Sequence, residues 1–359
     1  MATALIMAGG FGKRLWPEST LSRPKQFIGP TNAHSLLQLT FERCVRWFGS
    51  DNTFIITRQS LTSTIREHLP LLSADHIISE PTSQDTAASV GYAAMYIRRL
   101  KGDDPIHVLP SDHLIEGDEE FGRVMSAASK AANEGHLVTI GIKPTRVETG
   151  YGYLEVGEQI CRYNDVPCSK LKRFTEKPSY KKAKGFVESG SFLWNAGIFA
   201  WRPSTILDEI RRYAPALYQD LETIEQALGT QDENRIVNTL YPQLLRTSID
   251  YAVMEKTTRA VVIPAEFRWD DIGDWQALER IYRRDENGNI TQGIVREMET
   301  SNCTLINREQ KLVAVLGISN AVVVNTRVGV LVVSKDLSSK VKELVDQLLE
   351  EEGMRRYVE

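Results

Sequence analysis

At 359 residues, with 42% hydrophobic and 25% charged side chains and a net charge of −4, the chain has the composition of a globular protein. Its mild acidity argues against a general nucleic-acid surface, and its length asks for one large domain plus a small one. No signal-peptide pattern and no apolar run of roughly 20 residues points to export or a membrane, and Cys44, Cys161, Cys168 and Cys303 show neither zinc nor disulfide spacing, so a soluble, cytoplasmic protein is expected.

The first strand candidate, Ala4–Met7, runs straight into Ala8-Gly9-Gly10-Phe11-Gly12-Lys13-Arg14-Leu15-Trp16-Pro17. Glycines let the backbone approach a ligand and aim several N–H groups at it. Lys13 and Arg14, with Lys25 of Ser22-Arg23-Pro24-Lys25-Gln26-Phe27, place positive charge where a polyphosphate would lie. The turn is not a P-loop, because Arg14 stands where that loop has Ser or Thr. It is not a dinucleotide fingerprint either, because Pro17 prevents a regular helix from opening there. A plain tight turn is the remaining structural alternative.

Leu37, Phe41, Cys44, Val45 and Phe48 fall on one helical face, and Val90, Ala94 and Ile97 on another. Strands are expected at Thr53–Thr57, His76–Ser79, Ile106–Leu109 and Leu137–Ile142. This alternation predicts an α/β fold: a Rossmann-like, mixed and mainly parallel sheet covered on both sides. Ligands of such sheets bind beyond the carboxyl ends of the strands. The glycine turn, Glu80 and Asp112 all follow predicted strands and are expected to converge on one cleft.

From about Gly150 to Gly273 the pattern is more mixed. Arg284-Asp285-Glu286-Asn287-Gly288-Asn289 is polar and turn-rich and marks the expected boundary, giving domains 1–285 and 286–359. Beyond it lie short β-branched runs, Leu312–Leu316, Ala321–Val324 and Val328–Val333, in the manner of a β-coil or a small sandwich. Leu337, Val341, Leu344, Val345, Leu348 and Leu349 form one face of a last helix, packing either in its own domain or on a second subunit of a homodimer. No internal repeat is evident.

The glycine turn and the Arg-Pro-Lys-Gln-Phe string resemble the signature of the sugar-nucleotide pyrophosphorylases, in particular their mannose-1-phosphate guanylyltransferase branch. Further segments match in order: Pro110-Ser111-Asp112-His113, Thr149-Gly150-Tyr151-Gly152-Tyr153, Phe174-Thr175-Glu176-Lys177-Pro178, Leu193-Trp194-Asn195-Ala196-Gly197 and Trp269-Asp270-Asp271-Ile272-Gly273. The resemblance implies a nucleotidyltransferase that joins GTP to mannose 1-phosphate, with Mg²⁺ held by Asp112 and Asp271. It implies Arg14, Lys25, Asp112, Lys177 and Asp271 as catalytic residues. The nucleotide would be held by Ala8, Gly9, Gly10, Gly12, Lys13, Arg14, Glu80, Asp85 and Thr86. The sugar phosphate would be held by Lys25, Gly150, Glu176, Lys177 and Asn195. The small domain would be a short left-handed β-helix. Relatives often carry a further phosphomannose isomerase domain, for which the chain ends too soon, so a single activity is expected.

Ser83, Gln84 and Asp85 depart from the branch's Gly-Arg-Asn pattern, and Asp85 suits either guanine's N1–H and N2 donors or a helix cap. Asp270 and Asp274 fall outside the motif position and read as flanking charges. His113 reads as a structural hydrogen-bonding residue, and Ser248–Lys256 as architectural.

Overall fold

The computed structural model describes residues 2–29 and 34–359 and divides them into two compact units. The first comprises residues up to Gly9, Phe41–Ser111 and Ile115–Trp269. The second comprises Gly10–Thr40, Asp112–Leu114 and Asp270–Glu359. The expected boundary at 285/286 therefore lies inside the second unit, which also takes in the glycine turn after Gly9.

The first unit is built on nine strands: β1 Thr3–Met7, β2 Thr53–Arg58, β3 Ile77–Glu80, β4 Ile106–Pro110, β5 Leu137–Ile142, β6 Tyr153–Tyr163, β7 Val166–Thr175, β8 Phe192–Trp201 and β9 Ala260–Ala265. They pair in the order β3-β2-β1-β4-β8-β5-β9-β7-β6. The β3-β2-β1-β4 half is parallel, β8 enters antiparallel between β4 and β5, and β5 pairs parallel with β9. All six residues of Leu137–Ile142 are buried, as expected of a run covered on both faces. Helix Asp85–Lys101 buries Val90, Ala94 and Ile97 in a core shared with Trp201, Ile210, Leu217, Leu221 and Tyr241. An α/β sheet with helical cover is thus observed.

In the second unit, β10 Ile290–Gln292, β12 Thr304–Asn307 and β14 Ala321–Asn325 stack in parallel, as do β11 Val295–Met298 and β13 Val313–Leu316. An antiparallel strand, β15 Val330–Ser334, closes the stack. Asn302 donates to Asn320 at 3.1 Å and Asn325 to Asn307 at 2.8 Å, each across a separation of 18 residues. The parallel steps are of unequal length, 14 residues from Ile290 to Thr304 and 18 from Thr304 to Val322, so the stacked strands carry no fixed sequence period.

The last helix, Val341–Glu350, packs within its own unit, burying Val341 and Val345 with Leu15, Trp16, Trp275, Val322 and Val324. Its apolar face is narrower than expected, since Leu337 and Leu344 are exposed. Among the described residues no helix is long and apolar enough to cross a membrane.

Candidate active site

In the second unit the glycine turn tightens into a 3-10 segment, Lys13–Leu15, entered through Gly12 at φ 76°. A Cβ on Gly12 would lie 2.4 Å from Cβ of Lys25. Glycine is therefore required twice over: for a backbone conformation other residues avoid, and for the close passage of Lys25. Lys25 is 7% exposed, and its ammonium donates to Asp112 Oδ2 at 2.9 Å and to the backbone carbonyl of Asp271. Three residues far apart in the chain thus meet around one cation.

Burial alone would raise the Asp112 carboxyl. The charge of Lys25 and the hydrogen bond from Lys25 outweigh it and hold the group below the ordinary carboxylate value. Asp112 is accordingly ionised at neutral pH. His113 Nε2 lies 3.8 Å from Asp112 Oδ1, and burial lowers the imidazole despite the acids around it. It is neutral at pH 7 and is no source of a proton there. Asp271 Oδ1 accepts from the Gly273 amide at 3.1 Å.

The two flanking acids support the motif from behind. Asp270 is buried, grips Arg280 through both oxygens and accepts from the Ile272 amide at 2.9 Å. Asp274 accepts from the Ala277 amide at 3.1 Å and so caps the short helical turn behind the motif. Both shape the backbone that presents Asp271.

The cations of the turn have separate fates. Lys13 pairs with Asp346 of the last helix, while Arg14 is exposed on the turn, within electrostatic reach of Asp274. Trp16 Nε1 donates to the Tyr357 carbonyl at 2.8 Å, and Trp275 Nε1 donates to the Trp16 carbonyl at 3.1 Å. The Leu21 amide donates to the Val358 carbonyl at 2.8 Å. The turn is thus braced by residues more than 200 positions away, which local sequence patterns do not reveal.

The first unit gathers the remaining candidates in two groups. At the carboxyl ends of β1 to β3, the Ala8 amide donates to the Ile56 carbonyl, and a Cβ on Gly9 would lie 3.7 Å from Glu80 Oε2. Glu80 is buried, and its Oε1 accepts from the hydroxyls of Ser89 and Tyr241. Burial raises its carboxyl against those hydrogen bonds and the charge of Arg58. Asp85 is exposed, sits at φ 68° and accepts from the Thr86 amide at 2.7 Å through Oδ1, which leaves its other oxygen open among the described residues. Thr86 Oγ1 accepts from the Ile249 amide at 2.8 Å.

The second group surrounds Glu176. Lys177 Nζ donates to Glu176 Oε1 at 2.8 Å, and the Glu176 amide donates to Glu255 Oε1 at 2.9 Å. Asn195 Oδ1 accepts from Thr139 Oγ1 and from the Gly197 amide, both at 3.0 Å, which leaves its amide nitrogen turned to Asp250 Oδ1 at 3.4 Å. A Cβ on Gly152 would lie 2.6 Å from Glu176 Oε2 and 3.2 Å from Asn195 Cβ. Gly150 instead is exposed and donates its amide to Glu148 Oε1 at 3.0 Å. Gly152 is therefore the glycine the fold sets against Glu176 and Asn195.

Asp250 is the residue the sequence reading missed. It opens a five-residue π turn, Asp250–Met254, a rare conformation often found where function bends a helix. Burial, and after it the charge of Glu176, push its carboxyl up to about 7. An acid inside the otherwise apolar Ile249–Met254 string was the available signal.

Among the described residues no three His, Cys, Asp or Glu are grouped to hold a metal ion by themselves. Asp112 and Asp271 nevertheless fit Mg²⁺, a hard ion that takes one or two carboxylates and fills its shell from water and substrate phosphate.

Residues 3–288 match the nucleotidyl transferase family, and residues 295–348 match the MannoseP isomerase/GMP-like beta-helix domain. Fold and sequence together define a nucleotidyltransferase. The chain is similar to the mannose-1-phosphate guanylyltransferase of Escherichia coli, 36% identical over 97% of this chain and 74% of that protein. It is 35% identical to the alginate biosynthesis protein AlgA of Pseudomonas putida, over 98% of this chain and 72% of the relative. A crystal structure described as mannose-1-phosphate geranyltransferase from Thermus thermophilus matches with a TM-score of 0.85 and 34% identity, over 97% of this chain and 99% of that one. The chain belongs to the mannose-1-phosphate guanylyltransferase family.

Proposed function

We propose that the protein transfers a guanylyl group from GTP to α-D-mannose 1-phosphate, releasing pyrophosphate and forming GDP-mannose, with Mg²⁺ as cofactor. The observation that carries this reading is the meeting of Lys25, Asp112 and Asp271 beside the glycine turn.

In the proposed reaction a phosphate oxygen of mannose 1-phosphate forms a bond to the α-phosphorus of GTP. The bond from that phosphorus to the β-phosphate oxygen breaks, and its electron pair leaves with pyrophosphate. The nucleophile is already anionic at neutral pH, so no general base is needed. Repulsion between anions is the barrier, and fixed positive charge is the remedy. Arg14 and the amides of the turn hold the β- and γ-phosphates, and Lys25 orients the α-phosphate. Lys177 takes the phosphate of the sugar, while Glu176, Asn195 and Asp250 hydrogen-bond its hydroxyls. Asp112 and Asp271 would hold Mg²⁺, which would supply positive charge against that of the phosphates.

Purified protein assayed for pyrophosphate release with GTP, ATP, UTP and dTTP against several sugar 1-phosphates, with and without Mg²⁺, tests the reading. The GTP and mannose 1-phosphate pair should dominate and should require the metal. Equal or greater release from another pair overturns it.

Asp250 adds a pH dependence. The folded chain holds its proton more tightly than the unfolded chain, whose Asp titrates near 4 as an order-of-magnitude reference. Its contribution to stability is therefore present in acid and lost as pH rises through about 7. The ionised form is the better acceptor for sugar hydroxyls, so kcat/KM for the sugar phosphate should rise across that range. Asp250→Asn should remove this inflection while leaving the one due to the sugar phosphate itself. An unchanged profile in the variant would show that Asp250 does not govern it.

A further inference from the structure

One cation beside Glu80 is given no task by the reading so far. Arg58 ends β2, and the parallel register sets it opposite Glu80 of β3. Residues opposed in this way project from the same face of the sheet. In the strand order β3-β2-β1 the end of β2 lies between Glu80 and Gly9, at the carboxyl edge where open α/β sheets bind ligands.

Arg58 Nε and Nη2 are shut off from solvent and donate to no group among the described residues. Burial lowers the guanidinium from its ordinary value, with Glu80 opposing the shift. A structural counter-ion of Glu80 would be expected to donate to it, yet Glu80 Oε1 is filled by two hydroxyls. The side chain is only partly buried, so a rotation of its terminal torsions can turn the guanidinium outward. The two buried donors break no hydrogen bond in doing so. Gln84, the other long polar side chain of this edge, has its amide committed to the Pro242 carbonyl.

We propose that Arg58 reads the acceptor edge of the purine, its O6 and N7, and thereby sets the preference for guanine over adenine. This rests on the reading of GTP as the substrate. A guanidinium carries donors alone, arranged as a planar fork. Guanine offers two acceptors on that edge, whereas adenine replaces O6 with an amine, donor against donor. The opposite edge of guanine, N1–H and N2, needs an acceptor, and the open oxygen of Asp85 is of that kind.

The test compares wild type, Arg58→Met and Arg58→Lys for kcat/KM with GTP, ITP and ATP, alongside thermal melting. Inosine keeps O6 and N7 but lacks the N2 amine. In Arg58→Met, kcat/KM for GTP and for ITP should fall together by about 10- to 100-fold, from the usual worth of a bidentate contact. The GTP-to-ATP ratio should fall by the same factor, and Arg58→Lys, which donates from a single point, should lie in between. If GTP and ATP fall equally, or only the melting temperature moves, Arg58 is a structural counter-ion and the inference is overturned. If wild type itself fails to prefer GTP, the substrate reading falls and takes the inference with it. A wild-type preference that survives in Arg58→Met defeats the inference alone.

Discussion

Asp112→Asn is expected to lower kcat by on the order of 10²- to 10³-fold at saturating Mg²⁺, the usual worth of one preorganised charge in a reacting site. The carboxylate both holds the Lys25 ammonium and offers an oxygen to the metal in the proposed reaction, and the amide does both without the negative charge. Asn is chosen over Ala because it keeps the volume beside His113 and Lys25. Lys25→Met should cost a similar factor, and the double variant should be little worse than either single one, because groups that act as a unit are not additive. Fully additive losses would mean that the pair seen in the fold does not work as a pair. Turnover near that of wild type in Asp112→Asn would remove the basis of the mechanism. The same pair sets a stability dependence in acid. Asp112 is held below its unfolded value, so its contribution is complete above about pH 4 and is lost as the pH falls through the lower, folded value.

Gly12→Ala is expected to destabilise the protein and to abolish most of its activity. At φ 76° a Cβ costs about 1–2 kcal/mol from backbone strain alone. Its position 2.4 Å from Cβ of Lys25 demands a shift of the buried side chain, an overpacking cost of about 1–3 kcal/mol. The displaced atom belongs to the stem of the lysine that meets Asp112, so fold and chemistry suffer together. Gly10→Ala is the control, because a Cβ there meets no atom within 4 Å and its φ is ordinary. Urea denaturation should separate the two, with a loss of about 2–5 kcal/mol for Gly12→Ala and well under 1 for Gly10→Ala. Equal losses at both positions would show that the crowding under Gly12 has been misread.

Magnesium dependence is tied to the same residues. Lys25→Met removes the internal cation from Asp112, so the metal should then bind more tightly to the pair of acids even as turnover falls. A Mn²⁺ titration followed by electron paramagnetic resonance reads that affinity without reference to activity. Weaker Mn²⁺ binding in Lys25→Met would argue that the acids are not its ligands.

Much of the fold was written in local sequence. Runs such as Leu137–Ile142, rich in Val, Ile and Thr, became strands with both faces covered, and all six residues are buried. The glycine turn was legible in its residue types, because close backbone approach and fixed charge demand them, whereas the Pro-Ser-Asp string and the Glu-Lys pair were singled out only by the family resemblance. The stacking of the small strands was not legible, since a β-coil asks for burial at stacked places and its steps here differ in length, 14 and 18 residues.

What only the tertiary structure decided is which of these residues touch. Sequence placed Lys13 and Lys25 alike among cations of a phosphate site. Folding gives Lys13 to Asp346 on the last helix and Lys25 to Asp112 and the Asp271 carbonyl. It sets Gly152 against Glu176, draws Asp250 into the same group, and leaves two donors of Arg58 without a partner among the described residues. The reason is physical. Residue type and spacing fix local conformation and the kind of chemistry available, whereas the partner of a charge depends on which distant segments the burial of the core forces together.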